Sequence, residues 1–179
     1  VATTQGLKMH GGVALDGIKE PNREGLIKGL ENLDKHVQCL QSYGQTVVVA
    51  FNRYATDVDE EIDLVRQHCE QELHIGFAVN NAFVEGGKGA EELARLVVET
   101  IEKKPSAPLH YAYELTDSVE EKITKLACGQ YGAATVSFTP TAKKKLKHIA
   151  EMGYDRFPIC IAKTQYSFST DAKRYGVAK

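Results

Sequence analysis

Two aromatic residues follow the ends of two short apolar runs, where a flat ligand could be held. Tyr54 comes after the run 46–51, and Phe83 comes after the run 74–79. If these runs are adjacent parallel strands, their carboxyl ends meet at the edge where such sheets bind ligands. Tyr54 and Phe83 would then face each other, and each ring could add about 0.5–1.5 kcal/mol by stacking on a planar heteroaromatic. The alternative is that both rings simply cover the sheet.

A glycine-rich loop, Glu85–Gly89, precedes a predicted helix, so its backbone N–H groups could bind an anion. The loop lacks the spacing of a nucleotide-binding loop, because Lys88 is followed by Gly89 and Ala90 rather than by Ser or Thr. Spacing therefore favours a tight strand-to-helix turn over a phosphate site.

Other chemically active side chains show no catalytic pattern. The segment Lys8–His10 is predicted to end a polar strand before a glycine turn, with His10 in a structural role. The lysines at 143–145 and 147 spread around a predicted helix, which indicates a solvated surface rather than a nucleic-acid patch. The four cysteines form no C-x-x-C pair, so we expect buried reduced thiols and no metal site.

Charge and hydropathy exclude two classes of partner. The chain of 179 residues has a formal net charge of −2 and 26% charged residues, so nothing draws it to nucleic acid or an anionic membrane. Its apolar runs are shorter than the ~20 residues that span a bilayer. We expect a soluble protein with no nucleic-acid or membrane partner.

The elements that would position Tyr54 and Phe83 alternate between strand and helix. An apolar stripe predicts a helix over 22–43, ended by Gly44, and a helix capped by Thr56 is predicted from Asp57 to about Glu72. After the glycine loop, a helix ending near Lys104 is predicted to bury three residues, Leu93, Val97 and Ile101. The order is typical of an α/β fold: a mostly parallel sheet with flanking helices.

The segment Pro105–Pro108 marks the predicted boundary between an α/β segment, 1–104, and a smaller α/β segment, 105–179. Ser118 and Glu121 form a capping-box pattern, and Thr139 with Pro140 should begin a helix that ends at Gly153. Strands are predicted at 109–115, 134–138 and 158–162.

Seven strings along the chain form a distinctive set when taken together in order. They are Leu7–Gly12, Gly29–Leu33, Val47–Arg53, Thr56–Asp57, Glu85–Gly89, Tyr131–Ala133 and Pro158–Ser167. In their order and spacing they resemble the formate–tetrahydrofolate ligase family, of the bacterial monofunctional type. The resemblance runs from Val1 to about Ser169, and it suggests an internal or C-terminal piece of such an enzyme.

The resemblance implies that ATP phosphorylates formate to formyl phosphate, whose formyl group passes to N10 of tetrahydrofolate. It implies Mg²⁺, a monovalent cation (K⁺ or NH₄⁺), a cytoplasmic location and a homotetramer. The family holds the pterin between two aromatic rings, which here are Tyr54, where Phe is usual, and Phe83, where Trp is usual. Asn52 belongs to the same folate-binding region, and Gly86 and Gly87 are expected loop contacts. The smaller Phe83 ring predicts weaker folate binding.

The family's nucleotide loop and formyl-phosphate residues lie upstream of its Leu-Lys-Met-His-Gly-Gly string, and this chain contains neither. Both ends of the chain read as cuts in a longer polypeptide. The chain is therefore expected to bind folate, to be inactive alone, and to need the remainder of its parent polypeptide. The competing hypotheses are a non-catalytic α/β binding or scaffolding module and a nucleotide-binding domain that uses the glycine loop.

Overall fold

The computed structural model describes residues 1–162 together with Phe168, Asp171 and Val177. The chain divides into two compact units, Val1–Leu109 and His110–Lys179. The string Pro158–Ser167, which carried part of the resemblance, therefore lies outside the described residues beyond Ala162.

The first unit has five helices and two strands among its described residues. The helices are α1 (Thr4–His10), α2 (Arg23–Ser42), α3 (Asp59–Gln67), α4 (Ala82–Glu85) and α5 (Glu91–Lys103). The strands are β1 (Val48–Asn52) and β2 (Gly76–Asn80). Short 3-10 turns cover Leu15–Gly17 and Gly86–Ala90, and a π-helical turn, His68–Glu72, follows α3.

The sheet is parallel, as predicted, and β1 lies beside β2 in the register Val48↔Gly76 to Asn52↔Asn80. Ala2 adds one bridge on the other side of β1, because its N–H donates to the Ala50 carbonyl at 2.9 Å. Phe51 and Phe77 lie in the core with their ring centroids 5.5 Å apart. The α/β fold class is confirmed.

Helix α2 matches its prediction closely. Asn22 caps it, since its Oδ1 accepts a hydrogen bond from the Gly25 N–H at 2.8 Å, and Gly44 follows the end with φ of 79°. Leu26, Leu30 and Val37 are buried along the predicted stripe and Leu33 is partly buried, but Leu40, at the end of that stripe, is 47% exposed.

Two helix predictions were wrong in detail. Thr56 does not cap α3, which begins at Asp59 after Val58 and has no side-chain cap. Helix α5 begins and ends where expected, but Ile101 is 65% exposed and Val97 is also exposed. The helix instead packs Leu96 over Gly76, where an added Cβ would lie 2.8 Å from Leu96 Cδ1.

The second unit has helices α6 (Val119–Gly129) and α7 (Pro140–Glu151). The three strands predicted at 109–115, 134–138 and 158–162 are absent from the described residues, and those predictions were wrong. A strand needs a neighbouring strand for its backbone groups, and two backbone groups in these ranges bond to side chains instead. The Ile159 N–H donates to the Tyr113 hydroxyl at 2.7 Å, and the Glu114 N–H donates to Asp117 Oδ2 at 2.9 Å.

The predicted capping box of α6 is confirmed. The Glu121 carboxylate accepts hydrogen bonds from the Ser118 hydroxyl at 2.7 Å and the Ser118 N–H at 2.8 Å. These bonds lower the pKa of Glu121 from its ordinary 4.5. Because the ionised form is favoured in the folded chain, the stabilisation is present above pH 4.5 and is lost as pH falls through the lowered pKa.

At neutral pH, we expect Glu121→Gln to have a lower thermal midpoint than the unchanged chain. The gap between the two midpoints should narrow as pH falls below 4.5, the ordinary pKa of a glutamate. Thermal unfolding followed by circular dichroism across this pH range measures the gap. Glu120→Gln, on the same helix, is the control and should not reproduce the pH dependence. A gap that stays constant with pH would contradict the capping role.

Candidate functional site

The carboxyl ends of β1 and β2 form one edge, and both predicted aromatic residues lie just beyond it. Asn52 and Asn80 are partners in the strand register, and the Arg53 N–H continues the pairing by donating to the Asn80 carbonyl at 3.2 Å. Tyr54 lies two residues after Asn52, and Phe83 three residues after Asn80. The two strands are therefore adjacent and parallel, as the aromatic slot requires.

A tight turn holds Tyr54. The Asp57 N–H donates to the Tyr54 carbonyl at 3.0 Å, and the Tyr54 N–H donates to Asp57 Oδ2 at 2.8 Å. The second oxygen of the buried Asp57 carboxylate accepts a hydrogen bond from the Thr4 hydroxyl of α1. The Tyr54 backbone is thus tied to the core, while its side chain is 46% exposed.

A buried ion pair between α1 and α3 supports the Thr4–Asp57 contact, and each of its residues lies four positions further along the chain. The Lys8 ammonium of α1 lies 3.2 Å from Glu61 Oε2 of α3, and both side chains are almost fully buried. Lys8 also donates to the Glu20 carbonyl at 2.8 Å, while Glu61 Oε1 accepts from the Asn22 N–H at 2.6 Å. The prediction that Lys8–His10 ends a strand was wrong, because a helix places Thr4 and Lys8 on one buried face.

The second aromatic residue stands free of the sheet. Phe83 lies on the short helix α4 and is 100% exposed, so it does not cover the sheet as the alternative interpretation required. The helix is held at its start, because the Ala82 N–H donates to Asn80 Oδ1 at 3.2 Å. The exposed ring is available to stack on a ligand.

A backbone hydrogen bond joins the end of the glycine loop to the residue that follows β2. The Asn81 N–H donates to the Gly89 carbonyl at 2.9 Å, and a Cβ on Gly89 would lie 2.5 Å from the Asn81 carbonyl oxygen. Gly86 has φ of 61°, which favours glycine, and Gly86 and Gly87 are both exposed. Helix α5 begins with Glu91 and Glu92, whose charges disfavour a phosphate at its N-terminus.

The remaining candidates show no catalytic arrangement. His10 ends α1, and burial lowers its pKa. Cys69 is buried as expected, and burial followed by the charges of Asp34 and Glu70 raises the pKa of its thiol to about 12. Cys160 is exposed, contrary to the expectation of a buried thiol. The lysines on α7 are exposed, as predicted.

Within the described part of the chain, no three His, Cys, Asp or Glu side chains lie close enough together to bind a metal ion. None of the described helices has the length and apolarity needed to cross a membrane.

An open cavity of about 360 Å³ lies at the opposite edge, near the amino ends of the strands. His74, Leu96 and Lys103 are among its lining residues. It is lined by neither predicted aromatic residue, so this cavity does not mark the Tyr54 and Phe83 edge. The exposed rings and fixed amides make the carboxyl edge the better candidate, because ligands of parallel sheets bind there.

Sequence reasoning missed Asn80 as a residue of this edge. It named Asp57 but did not predict the role that its carboxylate plays there. Asparagine at the end of both apolar runs was a usable signal for Asn80, because equal positions on neighbouring parallel strands come together. Asp57 was expected in the first turn of a helix. Its contact with Thr4, 53 residues away, has no local signature.

Comparison with known proteins gives one consistent result. The family model described as formate–tetrahydrofolate ligase matches residues 1–179. The chain is 62% identical over 176 residues to the formate–tetrahydrofolate ligase of Phocaeicola vulgatus, covering 98% of the chain and 32% of the relative. It is 59% identical over 179 residues to the Parabacteroides distasonis protein of that name and 47% identical over 180 residues to the Campylobacter concisus one, covering the whole chain and 32% of each relative. The chain thus spans about a third of the length of these curated relatives.

Proposed function

The chain belongs to the formate–tetrahydrofolate ligase family, and on that premise we propose that its carboxyl edge holds the pterin of tetrahydrofolate for the ligase reaction. Asn52, Tyr54 and Phe83 form the folate-binding region, with Gly86 and Gly87 beside it. The observation that carries the proposal is that two exposed aromatic residues, Tyr54 and Phe83, each follow the carboxyl end of one of two adjacent parallel strands.

The proposed reaction has two steps. Formate attacks the γ-phosphorus of ATP, which gives formyl phosphate and ADP. The N10 amine of tetrahydrofolate then attacks the formyl carbon, loses its proton and releases phosphate, which gives 10-formyltetrahydrofolate. Mg²⁺ and a monovalent cation, K⁺ or NH₄⁺, belong to the proposed complete enzyme, where they would offset phosphate charge.

The chain's own part is binding and orientation. A planar pterin between two rings gains about 0.5–1.5 kcal/mol from each face beyond the burial of apolar area. The Asp57 carboxylate fixes the backbone at Tyr54, so little backbone freedom is lost there when folate binds. Holding the pterin positions N10 for attack, because orientation of two reactants is a large part of such catalysis.

The remaining proposals concern the whole polypeptide. We expect activity to require the remainder of a polypeptide of the relatives' length, in a cytoplasmic homotetramer. The 179-residue chain should bind tetrahydrofolate but should not form 10-formyltetrahydrofolate from formate and ATP. Formation of that product by the chain alone would contradict this division of labour.

Replacing Phe83 tests the folate proposal. Phe83→Ala should raise the dissociation constant for tetrahydrofolate at least about tenfold, because one stacking face and its apolar area are lost. Isothermal titration calorimetry on the 179-residue chain measures the constant. Because Phe83 is fully exposed, the thermal midpoint should not change.

Two further variants sharpen this test. Val84→Ala removes a neighbouring side chain that is 70% exposed and should leave the constant unchanged. Phe83→Trp should tighten binding, and it places the single tryptophan of an otherwise tryptophan-free chain at the site, where folate should quench its fluorescence. An unchanged constant in Phe83→Ala would overturn the aromatic slot.

The same titrations separate the competing functions. A non-catalytic scaffold should respond to neither tetrahydrofolate nor ATP. A nucleotide-binding domain should respond to ATP with a dependence on Lys88, but Glu91 and Glu92 at the start of α5 oppose that alternative.

A further inference from the structure

The orientation of the Asn80 carboxamide is set by a neighbour that can only donate. The backbone N–H of Ala82 donates to Asn80 Oδ1 at 3.2 Å. Exchanging the oxygen and nitrogen of Asn80 would break this bond, because a backbone N–H cannot accept. Asn80 Nδ2 therefore faces Asn52 and donates to Asn52 Oδ1 at 2.8 Å.

This bond fixes which end of the Asn52 carboxamide faces Asn80. Its oxygen lies toward Asn80, so its amide nitrogen, a donor, points the other way. Among the residues that the structure describes, none accepts a hydrogen bond from that nitrogen. Asn52 is half-buried at the end of β1, two residues before Tyr54, so the donor lies at the proposed ligand edge.

We infer that the Asn52–Asn80 amide pair determines the ring specificity of this edge, selecting a planar heterocycle that presents an acceptor, such as a ring carbonyl. Asn52 is the residue that touches the ligand, and Asn80 is a positioning residue that acts through Asn52. The inference rests on the proposed folate function and deepens it. A ring with an amino group in place of the carbonyl would bring a donor against a donor and leave both unpaired.

The test compares two ligands in each variant. Tetrahydrofolate has a 4-oxo group, and tetrahydroaminopterin is its 4-amino analogue. The unchanged 179-residue chain should bind the 4-oxo ligand about tenfold more tightly, as expected for one hydrogen bond made against one lost. The ratio of the two dissociation constants is the readout, because partial unfolding scales both constants equally and cancels.

Two single substitutions should shift this ratio toward the 4-amino ligand by about tenfold each. Asn52→Asp still accepts from Asn80 Nδ2 but presents an acceptor to the ligand. Asn80→Asp still accepts from the Ala82 N–H, but its second oxygen can no longer donate. Asn52 must then turn its nitrogen inward and present its oxygen, so a residue that does not touch the ligand reverses the preference.

Asn81→Asp is the matched control, because it adds the same charge one residue away without joining the amide pair. It also removes the bond from Asn81 Nδ2 to Glu85 Oε1 on α4, a change that acts on both ligands alike and cancels in the ratio. Its ratio should equal that of the unchanged chain. If Asn52→Asp and Asn80→Asp also keep that ratio, or if Asn81→Asp shifts it equally, the inference is overturned while folate binding stands. If the unchanged chain binds neither ligand, the proposed function and this inference both fall.

Discussion

Gly29→Ala should destabilise the first unit by about 3 kcal/mol or more, because α1 and α2 touch through backbone at this point. An added Cβ would lie 1.9 Å from the Leu7 carbonyl oxygen and 2.6 Å from its carbon. Neither atom belongs to a flexible side chain, so the two helices must move apart. Alanine gains about 1 kcal/mol of helix propensity over glycine, but this gain is smaller than the cost of the overlap.

Chemical denaturation of the full chain measures the change, with Gly129→Ala as the control. Gly129 also lies in a helix, α6, but a Cβ there meets nothing within 4 Å. The control should therefore be neutral or slightly stabilising. If Gly29→Ala proves as mild as Gly129→Ala, the close helix approach does not exist in solution. The effect should reach the ligand edge, because α1 carries Thr4, which bonds to Asp57 beneath Tyr54.

Lys8→Met should cost about 3–5 kcal/mol, because it leaves the Glu61 carboxylate buried without its cation. Both side chains of the pair are less than a tenth exposed, so water cannot replace the lost partner. The methionine fills much of the lysine volume, so the loss comes mainly from charge and hydrogen bonding. Denaturation of the full chain measures the change in the free energy of unfolding.

The double variant Lys8→Met with Glu61→Gln is the informative control. Glutamine removes the stranded charge and keeps an oxygen to accept from the Asn22 N–H, which the glutamate holds at 2.6 Å. We expect it to recover part of the stability lost in the single variant. A double variant that is less stable than Lys8→Met would show that the buried charge is not the cause.

The Gly29 and Lys8 variants test the structural support of the ligand edge, whereas the Asn52 and Asn80 variants test the edge itself. Gly29 and Lys8 determine whether α1 and α3 lie where Asp57 can hold Tyr54. The amide pair and Phe83 concern the surface that the ligand meets. A folded variant with altered ligand preference therefore reports on the site, whereas loss of both ligands with loss of stability reports on its support.

Several elements followed from local sequence alone. The stripe of α2, the Gly44 ending and the capping box of α6 involve contacts within a few residues, so their signals are local. The strands β1 and β2 were also predictable, because β-branched apolar runs between helices are typical of a buried parallel sheet.

Predictions that depended on distant partners were less successful. The apolar runs of the second unit do not form strands in the described residues, because a run becomes a strand only when another chain segment accepts its hydrogen bonds. The face of α5 was misassigned for a similar reason. Val97 and Ile101 have the right helical spacing, but the helix contacts the sheet through Leu96.

The sequence by itself determined the α/β class, the family and the two aromatic residues at strand ends, because these depend on residue types and short spacings. The tertiary structure decided that Phe83 is exposed rather than packed on the sheet, and that Lys8 lies buried against Glu61. It also decided which group of Asn52 faces outward. That outcome depends on a chain of hydrogen bonds from Ala82 through Asn80, and only the alignment of two strands brings those residues together.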